Sequence, residues 1–268
     1  MAITTIDGII AGLLAPIPVF KVGTAGEAIA LHHSHFYSTG VPGAAIAPSP
    51  GLAGTALTSY LGQIPWTNPS SGNSYIARFS FSASVAAGLW LMDRLWHNSG
   101  FTLTTTTAQT VNSVTLPARD RNGTTNGENI LAGIEVSTTT GNLAAIANTT
   151  LQYTNSSGTA GRTGTITSFP AAAVIGTFIP FQLQAGDIGI RSIQSLTLGT
   201  SYVSGVIHLV MYRPLIQLGL TIANIPFNLG AIGSGMVRCY DDTVGFLVQL
   251  LTATTATVFN GQIVITQG

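Results

Sequence analysis

The stretch SYIARFSFSASVAAGLWLMDRLWHNSGFTLTTTTAQTVNS, residues 74–113, decides the fold class. Tyr75, Ala77, Phe79 and Phe81 alternate with Ile76, Arg78, Ser80 and Ser82. That is mostly period two, the pattern of a strand with one buried and one wet face. Ala86–Gly88 offers a turn, and Leu89–Trp96 follows as a second apolar run interrupted only by Asp93 and Arg94. Asn98–Gly100 breaks the chain again. Phe101–Val111 is a third run dominated by Thr, whose β-branched side chain suits a pleated surface. Strand, turn, strand, turn, strand predicts an antiparallel meander.

The chain beyond this stretch reads in the same way. Ile130–Ser137, Ala144–Tyr153, Phe178–Leu183, Ser192–Leu198 and Gly205–Arg213 have strand composition, and Pro214 is expected to end the last of them. Met236–Tyr240, Gly245–Thr252, Thr254–Phe259 and Gln262–Thr266 are four more, with Asn260–Gly261 as a hairpin turn. Pro117–Asn129 concentrates charge and holds two further Asn-Gly turn signals. Short strands with closely spaced turns predict an all-β chain, an antiparallel β-sandwich of jelly-roll-like kind.

Upstream, Thr4–Leu14 is the one helical pattern. Ile6, Ile9, Ile10 and Leu13 form a single apolar stripe, Thr4 or Thr5 caps the first turn, and Pro16 stops it. So short a helix must dock, either on its own domain or as an arm on a neighbouring subunit. Ile17–Val22 and Ala28–Ser38 read as extended. Gly40–Pro69 is rich in Pro and Gly, yet Leu52, Leu57, Tyr60, Leu61, Ile64 and Trp66 are too apolar for a free linker, so it is expected as a long loop pinned on a surface, its own or a partner's. The expected organisation is an N-terminal helix and arm over 1–70, a main β-sandwich over 71–214, and C-terminal strands over 215–268. The last region either completes the sandwich or forms a small second layer.

Composition narrows the function. Charged residues make up 7% of 268 positions, against about 25% in ordinary soluble domains, and nine basic residues balance nine acidic ones. Nothing here supplies the clustered cations that nucleic acid or an anionic membrane requires. A lone molecule with so little charge is poorly protected against self-association, so much of its surface is expected to lie against other subunits. The single Cys239 excludes an intrachain disulfide. The N-terminus has no basic stretch before Asp7, and Gly8–Phe20 is broken by Pro16 and Pro18; neither an export signal nor a membrane anchor is expected.

No catalytic motif is present: there is no nucleophile elbow, P-loop or dinucleotide fingerprint, and the acids are mostly scattered singly. His33 and His35 would share a strand face and could meet one metal, but neither Glu27 nor Asp93 completes a site, so packing is the expected role. Asp241 and Asp242 would point opposite ways on a strand and could not act as a pair, though in a loop they could bind a cation weakly. Asp93 and Arg94 interrupt an apolar run between Trp90 and Trp96, and each needs a partner if buried. Arg78 is the expected partner of Asp93, in a structural or intersubunit ion pair.

Four runs resemble a family of tailed-bacteriophage virion structural proteins: Gly72-Asn73-Ser74-Tyr75-Ile76-Ala77-Arg78-Phe79, Asp93-Arg94-Leu95-Trp96-His97-Asn98, Pro117-Ala118-Arg119-Asp120, and Leu183 through Leu196. The resemblance covers roughly residues 1–240 and carries no catalytic motif. It implies a non-enzymatic particle component, a capsid decoration (cement) protein that forms a homo-oligomer, expected as a trimer, and bridges major capsid protein subunits. Such a protein is made in the host bacterial cytoplasm and ends on the virion surface. It has no cofactor or metal, and neither nucleic acid nor membrane as partner. A tail or head-fibre component is the alternative, and a carbohydrate-binding β-sandwich with Trp66, Trp90 and Trp96 as stacking platforms is the third reading. The residues expected at subunit contacts are Ile6, Ile9, Ile10, Leu13, Trp66, Arg78, Asp93 and Arg94.

Overall fold

The computed structural model describes residues 3, 5–24 and 29–268. Thr4, one of the two expected caps, and Glu27 and Ala28 lie outside the described residues. The protein is nearly all β, with 43% strand and 2% helix, and its sheets are antiparallel. The chain divides into two units, Met1–Ala45 with Ser59–Asp93 and Leu215–Gly268, and Ile46–Thr58 with Arg94–Pro214. Residues 1–45 and 215–268 therefore belong to the same unit.

In the first unit, strand Ser74–Ala83 keeps its period-two burial over its second half. Phe79, Phe81 and Ala83 are buried, whereas Arg78 is exposed and Ser80 and Ser82 are half-exposed. Toward Ser74 the phase changes, with Ile76 and Ala77 both buried, where the register with strand Val258–Gln267 shifts between Val264 and Ile265. An irregularity of this kind re-aims the side chains on either side of it.

The expected hairpin does not form. Strand Ser74–Ala83 is flanked by Val258–Gln267 on one side and by Phe227–Gly230 and Arg238–Cys239 on the other. Strand Ala87–His97 pairs instead with Gly245–Leu251. The chain thus leaves one sheet and enters another between Ala83 and Ala87. The physical reason is apolar surface on both strands. Ile76, Phe79 and Phe81 from one sheet join Leu89, Leu91 and Leu247 from the other in a single hydrophobic cluster, completed by Val19, Phe259, Ile263 and Leu215–Leu220 residues. Adjacent strands of one sheet would leave that face open.

Two proline and glycine signals also read differently in three dimensions. Strand Val206–Leu220 continues through Pro214 rather than ending there. Its pairing with Leu131–Thr138 stops at Tyr212, so the residue without an N–H lies past the last rung of that ladder. Strand Val258–Gln267 runs straight through Asn260–Gly261, where no turn forms. Gly261 lies opposite Val19 and Phe81, and a Cβ there would sit 2.2 Å from the Ser80 carbonyl oxygen. The glycine serves close packing, not a turn.

In the second unit, Leu131–Thr138 lies between Val206–Leu220 and Thr177–Pro180. A separate four-stranded sheet has the order Arg162–Thr165, Thr150–Asn155, Ile190–Thr197, Gln109–Thr110. Of the expected third strand at Phe101–Val111 only Gln109–Thr110 is extended and paired. The Gln109 side chain instead grips Thr102, accepting from its N–H at 2.8 Å and donating to its carbonyl at 3.0 Å. Side chain to backbone bonds of this sort compete with a ladder.

Candidate assembly surface

The helix spans Ile6–Ala11, and Thr5 caps it by accepting the Gly8 N–H at 3.0 Å. Asp7 stands in the first turn, where the helix dipole favours a carboxylate. Its end is tied to the last strand: Thr266 donates its hydroxyl to the Ile9 carbonyl at 2.8 Å, and Leu14 N–H reaches the Ile265 carbonyl at 2.9 Å. Gly12 lies so close to Gln267 that a Cβ would stand 2.1 Å from its carbonyl oxygen. The helix is therefore held in place by its C-terminal turn.

That anchoring leaves the apolar stripe in the open. Ile6 is 66% exposed, Ile10 61% and Leu13 45%, and no residue of the helix is buried. Ile6 and Ile9 form one wall of an apolar cleft of about 290 Å³, whose other wall is Gly230–Gly233 with Ile232 at 86% exposure. Apart from Asp7 no ionisable side chain belongs to this helix. Contiguous apolar surface of this kind marks interaction sites.

The other expected contact residues fall elsewhere. Trp66 is half-buried against the core of the first unit, and Arg78 is exposed on strand Ser74–Ala83 opposite Gly230 and Val264. Asp93 and Arg94 are wholly buried, so neither presents a surface to a partner. Asp93 accepts the Val244 N–H at 3.0 Å rather than meeting Arg78. Arg94 forms an ion pair with Glu135 at 2.7 Å, both side chains out of contact with solvent. Its Nε also donates to His97 Nδ1 at 3.2 Å, and Arg119 donates to the Leu57 and Arg94 carbonyls. His208 bridges the Asn98 carbonyl and the Ser137 hydroxyl, both at 2.7 Å. Burial, then the Arg94 charge, holds the His97 imidazolium down to about 2, so this histidine stays neutral. Every named polar contact in the cluster is internal, and its members are buried between strands.

Further polar groups are held by contacts within the chain, some buried and some at the surface. His35 sits between Ser38 Oγ and Gln249 Oε1, both at 3.1 Å, and burial, followed by neighbouring His33, pushes its pKa well below the ordinary histidine range. His32 stacks on Trp90 with ring centroids 4.7 Å apart. Lys21, the sole lysine, is buried and donates to the carbonyls of Ser38, Pro42 and Gly43 at 2.7–3.3 Å, fixing the start of the Pro- and Gly-rich loop. Asp187 takes the Tyr153 hydroxyl, the Asn155 amide and the Arg162 Nε. The Arg162 hydrogen bond first, then those from Tyr153 and Asn155, lower its carboxyl to about 2 against the raising effect of burial. Asp242 and Asn68 exchange two hydrogen bonds at 2.8 Å. Trp96 is fully buried with its indole N–H on the Ala53 carbonyl, which removes it as a sugar platform.

Among the described residues no group of three or more His, Cys, Asp or Glu side chains gathers as a metal site, and no helix is long and apolar enough to cross a membrane. No family model, curated protein or solved structure matches the chain.

Proposed function

We infer that this chain is a non-enzymatic structural subunit of a bacteriophage particle, a capsid decoration protein that assembles with itself and bridges capsid subunits. The observation that carries the reading is the open apolar stripe of Ile6 and Ile10 on a helix pinned to the last strand, with Leu13 just past its end and Ile232 beside it. A stripe left in water on a chain with 7% charged residues and no net charge favours association. The association is a homotrimer in which each helix lies against a neighbouring subunit, with the Gly40–Pro69 loop spread over the capsid. In this reading the two sheets that share one core are the faces of a jelly-roll-like sandwich. Several weak contacts engaged at once then hold the shell through effective concentration. The four runs quoted above supply the word phage; the buried polar cluster around the Arg94–Glu135 ion pair, whose named contacts are all to the protein's own strands and loops, favours a structural role over catalysis.

The test is light scattering after size exclusion at micromolar concentration. The wild-type chain is expected at three times its monomer mass, and Ile6→Asp combined with Ile10→Asp is expected at monomer mass with an unchanged circular-dichroism spectrum and a lower melting temperature, since association stabilises the native state. A wild-type chain that is monomeric would overturn the assembly. Electron microscopy of particles carrying the labelled chain places it on the shell; labelling confined to the tail would transfer the proposal to a tail component.

A further inference from the structure

The chain contains three Asn-Gly pairs, Asn122–Gly123, Asn126–Gly127 and Asn260–Gly261. Asn-Gly is chemically fragile. Base removes the glycine amide proton and the nitrogen adds to the Asn Cγ. The Cγ–Nδ2 bond breaks as Nδ2 takes a proton back from the conjugate acid of the base, ammonia leaves, and water opens the cyclic imide to Asp or isoAsp. Each event adds a negative charge and can insert an extra backbone carbon, which matters in a chain whose net charge is zero.

Asn260–Gly261 lies inside a sheet, opposite Val19 and Phe81, where the backbone cannot fold back on the side chain. Asn126–Gly127 has no such protection from secondary structure. It lies in a loop, Asn126 is exposed, and Gly127 has φ +86°, a conformation that suits glycine. Here the Gly127 N–H donates to Asp120 Oδ2 at 3.0 Å. Asp120 is 1% exposed, and its carboxylate also accepts the N–H groups of Asn122, Thr124 and Glu128 and the Thr124 hydroxyl. Burial would raise this carboxyl, but the hydrogen bonds from Thr124, Asn122 and Glu128 outweigh it and hold it ionised.

We propose that Asp120 is a chemical guard of its own loop, whose carboxylate suppresses imide formation at Asn126–Gly127. Two effects act together. The hydrogen bond aims the Gly127 N–H away from Asn126, and a fixed negative charge at that distance opposes formation of the amide anion that must attack. Asn122 is held separately, its side-chain amide donating to Glu128 Oε2 at 2.8 Å and Gly123 N–H donating to the Asp120 carbonyl at 3.1 Å.

Peptide mapping by mass spectrometry after incubation at mildly alkaline pH measures all three sites in one digest. In the folded wild type, Asn126 is expected to convert far more slowly than in the urea-unfolded chain. Asp120→Asn, which keeps the shape and removes the charge, is expected to speed Asn126 by about tenfold or more, a modest share of what a full charge at hydrogen-bond distance exerts near a protein surface. Asn260 serves as the internal reference and is expected not to change. Thr124→Val removes the hydroxyl that donates to the same carboxylate and accepts the Asn126 N–H at 3.2 Å, but leaves the charge facing Gly127, and is expected to speed Asn126 far less than Asp120→Asn does. The proposal is overturned if folded wild type converts Asn126 at the unfolded rate, or if Asp120→Asn leaves it unchanged. It is equally overturned if Asp120→Asn accelerates all three sites together, or if Thr124→Val matches its effect.

Discussion

Arg94 and Glu135 meet at 2.7 Å with neither side chain in contact with solvent. Two buried charges lose their hydration, and their mutual attraction only roughly compensates, so the pair sets strand register more than it adds stability. Removing one partner is a different matter, because the other charge stays behind in a low-dielectric site. Arg94→Met and Glu135→Leu are each expected to cost about 3–5 kcal/mol in urea denaturation, while the double variant costs much less than either. A double variant as unstable as the sum of the singles would refute this account. The sequence shows that Asp93 and Arg94 need partners, since charge in an apolar run has no other explanation. It does not show which partners, because Glu135 and Val244 stand 41 and 151 positions away and no spacing rule connects them.

At the scale of the element, strand composition is local and strand partnership is not. Phe79, Phe81 and Ala83 announce a one-sided strand, and Ile130–Ser137 and Ser192–Leu198 fall within a residue or two of the strands that form. The meander at residues 74–113 misreads, because a short link serves equally for a hairpin or for a change of sheet; the choice is made by strand Val258–Gln267, far along the chain, which occupies the place of the expected neighbour. Asn260–Gly261 misleads in the same way: its composition suits a turn, but the Ser80 backbone and the Phe81 ring lie against it in the sheet. Gly261→Ala is therefore expected to lower stability by about 1–3 kcal/mol through overpacking between strands. Gly219→Ala, in strand Val206–Leu220 with nothing within 4 Å of the added carbon, is expected to change it by less than about 0.5 kcal/mol. Equal midpoints for the two variants would mean that Gly261 is not tightly packed. The helix and its Ile6, Ile9 and Ile10 stripe are legible from their spacing, but the helix ends at Ala11 rather than at the expected Leu14, and Leu13 lies past it in a bridge to Thr266. Its exposure is not legible, since amphipathic periodicity marks an apolar face without saying what covers it.

Across the whole molecule, histidine burial gives the protein an acid limit that its neutral net charge does not suggest. His35, His97 and His208 are all buried and hydrogen-bonded in their neutral forms. Burial leads the lowering in each case, with His97 brought to about 2. In the unfolded chain the same imidazoles take protons near pH 6.5. Below that pH the unfolded state binds more protons than the native one, so stability is fully present above it and falls as the solution is acidified, until the folded-state values are reached. These three groups give a limiting slope of about 4 kcal/mol per pH unit below pH 6 if none protonates in the fold, and His32, which burial lowers to about 4, adds to it above that value. The Asp187–Arg162 contact contributes its own loss only between the ordinary carboxylate range and about 2, so the two effects separate on the pH axis. Urea denaturation at pH 7, 6 and 5 is expected to show midpoints that fall steeply in the second interval, with protons taken up on unfolding. A stability that is flat from pH 7 to 5 would mean that these histidines reach water or a counter-charge in the native protein, and that their burial does not hold them neutral.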